Sequence, residues 1–214
     1  MNPDSQSLTK AGLVGIIACG GKSSRMGMDK SLLNYHGTSQ RKYLHQMLVP
    51  VCDTVCFSFN ATQVPEADEH HYFTDAVEYA ATGPIAALLT ARKHFPGKSF
   101  LLIGCDYPLI GASDICGLIQ FAFYNGHTST IYNDEAGLYE PLLGFYQAGS
   151  MDGLLDQFQT KNYSLQYFLE NIQAGKFISP RPHAVRSVDD FASYKQAMQF
   201  IGQNIHPEIT AYAQ

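Results

Sequence analysis

The chain has 214 residues, enough for one domain with a sizeable core and short for two. Apolar residues make up 45% and charged residues 15%, the balance of a soluble globular protein, and no 18-residue apolar run is present to span a membrane. A formal net charge of −5 argues against a general nucleic-acid binder, which needs a positive surplus to neutralise phosphates, so neither a nucleic acid nor a membrane is an expected partner.

The N-terminal "MNPDSQSLTKAG" lacks the basic-then-apolar layout of a signal peptide; a disordered lead-in over 1–12 and a cytoplasmic location are expected. "LVGIIAC" (13–19) reads as a buried strand, and "SQRKYLHQMLVP" (39–50) as a helix with Tyr43, Met47 and Leu48 on one face, stopped by Pro50. "TVCFSFN" (54–60) is a second strand and "HHYFTD" (70–75) a short third. "TGPIAALLTARKHFPG" (82–97) opens on Gly83-Pro84 and closes on Pro96-Gly97, with Ile85, Leu88, Leu89 and Arg92 at helical spacing. "SFLLIGCD" (99–106) is the most strand-like segment. "SDICGLIQFAFYNG" (113–126) is a helix with a Ser or Asp cap and an Asn-Gly stop. "TSTIYND" (128–134) and "LYEPLLGFYQ" (138–147) are two strands joined by a turn at Glu135–Gly137. Helices follow near 149–159 and 164–171, "KFISP" (176–180) is an edge strand, and "SVDDFASYKQAMQFI" (187–201) is a helix with Ser187 and Asp190 in capping-box spacing. That leaves one domain over 13–201 and a tail over 202–214.

Strand–helix alternation over the first part of the chain predicts an α/β fold: a single-domain, Rossmann-like three-layer α/β/α arrangement with a mainly parallel central sheet. Ligands of such sheets bind beyond the carboxyl ends of the strands, which puts residues 20–30 and 104–108 on one rim.

The candidate chemistry starts in "IIACGGKSSRMGMDKSLL" (16–33). Gly20 and Gly21 remove two side chains just past a strand end, so that successive amides can face an anion. Arg25 offers a planar fork for phosphate oxygens and Lys30 a compact charge. Neither the Walker A string nor G-x-G-x-x-G is present, and a mobile surface loop is the competing reading. In "LLIGCDYPLI" (101–110), Asp106 ends a strand; it is either a Mg²⁺ ligand or a turn cap. The five cysteines include no C-x-x-C, and Cys19 and Cys105 read as buried free thiols. His70 and His71 are adjacent on a strand, so their rings point to opposite faces and cannot share a metal.

The string "GGKSSRMGMDK" closely resembles the G-G-x-S-x-R-M-G-x-D-K signature of the molybdenum cofactor guanylyltransferase family, within the nucleoside-triphosphate-transferase superfamily. The resemblance extends over residues 13–201, through "GCDYP", "TGPIAAL" and "YEPLLGFY". It implies a nucleotide-binding set of Gly20, Gly21, Lys22, Ser23, Ser24, Arg25, Lys30, Asn60, Asp75 and Gly83, with Arg25, Lys30 and Asp106 catalytic. It also implies Mg²⁺ on Asp106 and Glu140 on the acceptor side; Arg186, where the chain departs from the family, is a further acceptor-side candidate because its guanidinium can meet a phosphate. The implied reaction moves GMP from GTP to a molybdopterin-type acceptor and releases pyrophosphate; molybdoenzyme-maturation partners are implied as well. Same-fold alternatives are a cytidylyltransferase for that pterin, a sugar- or alcohol-phosphate nucleotidyltransferase, and a nucleotide-binding relative without turnover. The chain departs from the family at Ala18-Cys19, where Leu-Ala is usual. It departs further in "AVRSVDDFASY" (184–194), where Ala184 and Arg186 replace two asparagines of the family's N-[IV]-N-T-P-E-[DE]-L run and Val188 replaces its proline.

Overall fold

Seven strands join in one sheet in a computed structural model that describes residues 12–20, 29–66, 69 and 71–209, with backbone only for 204–209. They are β1 (Leu13–Ala18), β2 (Thr54–Phe59), β3 (Tyr72–Thr74), β4 (Ser99–Gly104), β5 (Ser129–Asn133), β6 (Leu138–Tyr146) and β7 (Gly175–Phe177). The order is β3-β2-β1-β4-β6-β5-β7. All pairings are parallel except those of β6 with β4 and β5, so β6 alone runs against the rest.

Side-chain alternation along the central strands sorts the core onto two faces. Leu13 and Ile17 of β1, with Leu101 and Ile103 of β4, point to one side. There they meet Leu44 and Leu48 of α1 (Gln40–Leu48) and Ile115, Leu118 and Ile119 of α3 (Ala112–Asn125). Val14, Ile16, Phe100 and Leu102 point the other way, onto α2 (Ile85–His94), α4 (Met151–Gln159) and α5 (Leu165–Asn171). The result is the expected three-layer α/β/α arrangement. The last helix, α6 (Phe191–Ile209), stands apart from both layers, its Ala197 and Ile201 packing with Tyr35, Leu109 and Val188.

The differences from the sequence reading lie at element ends. Helix α3 starts at Ala112 with Gly111 as its cap; Asp114 is the third helical residue, and its carboxylate accepts from Gly111 N–H at 2.9 Å. Helix α6 starts at Phe191, where Asp190 accepts from Ser193 N–H at 2.8 Å, while Ser187 bonds to Asp189 instead. It then runs to Ile209, through most of the segment read as a tail. Strand β3 begins at Tyr72, past His71, and His70 lies outside the described residues, as do 1–11 and 210–214.

One buried ion pair fixes the chain between β2 and β3. Arg41 on α1 sits 2.6 Å from Glu69, both side chains almost wholly buried, with the guanidinium 5.3 Å above the Phe59 ring. Removing one partner strands a buried charge, so Arg41→Ala is expected to cost about 3–5 kcal/mol in urea unfolding. Arg41→Met combined with Glu69→Leu should recover most of that loss, and a single-variant cost below about 1 kcal/mol would contradict the assignment.

Candidate active site

Strands β1 and β4 pair in parallel from Leu13↔Ser99 to Ala18↔Gly104, and the ladder continues through Cys105 N–H to Ala18 C=O at 3.1 Å. Gly20 and Asp106 therefore leave the sheet side by side. The chain runs from β1 outward to β2 and β3, then returns to β4 on the other flank of β1, so the gap between them is the topological switch point of the sheet.

The strand order lines up the rim: Asp75 after β3, Asn60 after β2, Gly20 after β1, Asp106 after β4, and Asn133 closing β5. Because β6 is reversed, its beginning with Glu140 lies on the same rim. Asp75 and Asp106 are three strand spacings apart, roughly 14 Å.

Asp106 is held tightly and left partly unsatisfied. Its carbonyl accepts from Val188 N–H at 2.7 Å, and its Oδ1 is buried without a hydrogen-bond partner among the described residues. That oxygen lies over Gly104, where a Cβ would stand only 2.4 Å away, so a side chain at 104 would displace the carboxylate. Burial, aided by the nearby Asp189 and Glu140 carboxylates, pushes the Asp106 pKa up to about 6; its own backbone hydrogen bond and the Lys30 ammonium act in the opposite direction.

Lys30 begins a 3-10 turn (Lys30–Leu32) capped by Asp29, whose Oδ1 accepts from Ser31 N–H at 2.9 Å and from Ser31 Oγ at 2.7 Å. Its ammonium lies 2.8 Å from Asp189 Oδ1, on the chain just before α6. Glu140 stands in an irregular stretch of β6, where the register passes from Thr130↔Gly144 to Tyr132↔Tyr139 and Pro141 needs no ladder donor. The Glu140 oxygens accept from Tyr107 Oη at 2.7 Å and Asn133 Nδ2 at 3.2 Å. Burial, with Asp106 and Glu140 close by, pushes the Tyr107 phenol well up, which keeps it a donor.

The remaining expected site residues are placed as follows. Asn60 closes a turn: its Oδ1 accepts from Thr62 N–H at 2.9 Å, Thr62 Oγ1 at 2.7 Å and Gln63 N–H at 3.2 Å. Asp75 is half-buried, and burial raises its pKa. Gly83 is exposed with φ +82°, a left-handed backbone that lets the chain turn into α2. A Cβ on Gly20 would meet Asn60 N at 3.5 Å, ordinary contact, so no described neighbour demands glycine there. Arg186 is exposed, on a segment tied to α3 by Arg181, which binds Asp114 at 2.8 Å and Leu109 C=O at 3.0 Å. Gly21, Lys22, Ser23, Ser24 and Arg25 lie outside the described residues.

Sequence reasoning did not single out Asp189 or Gln63. Asp189 pairs with Lys30 across 159 positions, which no local pattern signals. Gln63 Nε2 donates to Cys19 C=O at 2.9 Å and to Asp29 Oδ2 at 2.7 Å; its place three residues beyond a turn-forming Asn was its only local mark. All five cysteines are free, and Cys19 and Cys105 are buried with their sulfurs 3.8 Å apart.

A carboxylate and a lysine at the switch point of a doubly wound sheet, just past a strand that exits through glycine, suit a phosphate-bearing ligand, and the match to known families makes the protein a nucleotidyltransferase. The chain belongs to the family of MobA-like NTP transferase domains, whose model matches residues 15–174. It is 33% identical over 134 residues to a molybdenum cofactor biosynthesis bifunctional protein of Synechocystis sp., covering 63% of this chain but 39% of that relative's length. A probable molybdenum cofactor guanylyltransferase of Nostoc sp. is 26% identical over 180 residues, with 79% of this chain and 83% of the relative aligned. Among solved structures, molybdopterin-guanine dinucleotide biosynthesis protein A from Archaeoglobus fulgidus superposes with a TM-score of 0.70 at 17% identity, covering 89% of this chain and 99% of that one, a likeness of fold.

The Asp106 environment has a consequence for stability. Its pKa of about 6 lies above the ordinary 3.8, so ionising it works against the folded state. The penalty is complete above about pH 6 and gone below about pH 4. Asp106→Asn is therefore expected to stabilise the protein by about 1–3 kcal/mol at pH 8, with a gain that shrinks toward zero at pH 4. Urea unfolding at both pH values checks this, and an equal effect at the two would contradict it.

Proposed function

We propose that this nucleotidyltransferase transfers GMP from GTP to the phosphate of a molybdopterin-type acceptor, releasing pyrophosphate, with Mg²⁺ at Asp106. The observation that carries the reading is the buried Asp106 Oδ1, without a hydrogen-bond partner among the described residues, near Lys30 at the switch point. A carboxylate oxygen desolvated without a donor suits a hard cation that accepts oxygen ligands. Among the described residues no three acidic, His or Cys side chains come together as a metal cluster, so the other oxygens would come from phosphates and water. Bound there, the cation would supply Lewis-acid stabilisation of the phosphate being transferred.

The chain's own groups account for the remaining chemistry. The acceptor phosphate is a nucleophile at neutral pH, so no dedicated base is required, and catalysis is alignment and charge compensation. Lys30 exchanges its contact with Asp189 for the phosphates and takes up charge growing on the departing pyrophosphate. Arg25, with the amides from Gly20 to Ser24, would add to this, a role taken from the sequence. Asp75 and Asn60 lie farther along the rim, on the side assigned to the base, with Gly83 at the start of α2; a carboxylate can accept from both N1–H and the 2-amino group of guanine. Glu140, with Arg186, marks the opposite, acceptor side. The molybdenum cofactor names of the relatives support this acceptor, and five free cysteines suit a reducing compartment such as the cytoplasm.

The test is pyrophosphate release with GTP, Mg²⁺ and a molybdopterin source, run beside CTP. Turnover is expected with GTP, and Lys30→Ala and Asp106→Ala should each lower it by roughly a hundredfold or more, as for loss of one charge-stabilising group. Full pyrophosphate release by both variants would overturn the reading, and preferential turnover of CTP would overturn the choice of guanine.

A further inference from the structure

We infer that Gln63 is a positioning residue that fixes the two flanks of the segment 21–28 against each other, and through them sets Lys30 relative to the end of β1. The inference rests on the nucleotidyltransferase reading above and concerns how its phosphate side is held. Cys19 and Asp29 are ten residues apart in the chain, and one side-chain amide joins them: Gln63 Nε2 donates one hydrogen to Cys19 C=O at 2.9 Å and the other to Asp29 Oδ2 at 2.7 Å. Its Oε1 accepts from Asn60 N–H at 3.0 Å, while Asn60 Oδ1 accepts from Gln63 N–H at 3.2 Å. Two acceptors on one side and a donor on the other determine which end of the amide is nitrogen.

The reciprocal bonds with Asn60 anchor Gln63 to the end of β2, which is itself paired with β1. The far end of the tie is also rigid. Asp29 receives Gln63 on Oδ2 and caps the turn that opens with Lys30 through Oδ1. An unbroken path of hydrogen bonds thus runs from β2 through Gln63 and Asp29 to the lysine turn. Without it, the two flanks would be held to each other less firmly, and the ordering that a polyphosphate then had to complete would be subtracted from its affinity. No other residue type reproduces the arrangement. Glutamate has no donor and would set a carboxylate against Asp29, asparagine is one methylene short, and alanine offers nothing.

The experiment is calorimetric titration of the full chain with GTP and with GMP, both with Mg²⁺, alongside thermal unfolding. Gln63→Ala is expected to weaken GTP about tenfold and GMP by no more than about twofold, since the tie serves the β- and γ-phosphate side. Gln63→Glu should weaken GTP more than Gln63→Ala does, and adding Asp29→Asn to it should recover about tenfold by restoring a donor opposite an acceptor. That double variant also keeps the test open if Gln63→Ala folds poorly. Equal losses for GTP and GMP, unaltered GTP binding by Gln63→Ala and Gln63→Glu, or no recovery on adding Asp29→Asn would overturn the inference while leaving the function intact. Wild-type protein that binds neither GTP nor GMP would overturn both together.

Discussion

The parallel pairing of β1 with β4 is the constraint on which the site depends. Both strands are apolar on both faces and buried between helix layers, and their register runs unbroken from Leu13↔Ser99 to Ala18↔Gly104. Beyond the last pair, the chain has little choice but to deliver Gly20 and Asp106 to the same edge. The price appears at Asp106: its carboxylate sits over a bare Gly104 with one oxygen shut away from water and, among the described residues, unpaired.

The charges around that carboxylate would oppose a polyphosphate in the absence of a cation. Asp189 and Glu140 both raise the Asp106 pKa, and among the described residues Lys30 is the cation acting against them. An acid-rich rim repels phosphate unless positive charge is added, and a carboxylate already desolvated is well prepared to bind the cation that adds it. Lys30 in turn is held by Asp189, so the segment before α6 takes part in the electrostatics of the rim although it lies beyond the region matched by the family model.

Much of this organisation was legible in the sequence because it rests on local rules. Short continuous apolar runs such as Leu13–Ala18 and Ser99–Gly104 read as buried strands, and strands of one direction deliver their following residues to one rim, which puts Gly20, Lys30 and Asp106 together. The ends of α3 and α6 were not legible, since Asp114 and Asp190 can each act at a cap or inside the first turn, and packing decides between them. The reversal of β6 that brings Glu140 to the rim depends on strand order, which periodicity does not encode. The contacts of Lys30 with Asp189, and of Gln63 with Cys19 and Asp29, join residues tens to more than a hundred positions apart; they exist only once the sheet has formed.

Asp106 Oδ1, without a hydrogen-bond partner among the described residues, would receive a divalent cation when a nucleotide is present. Titrating Mn²⁺ into the protein with GTP, and following free Mn²⁺ by electron paramagnetic resonance, tests it most directly. The account predicts a bound ion in the wild-type ternary complex that is lost in Asp106→Asn. Undiminished Mn²⁺ binding by that variant, with GTP still bound, would contradict it.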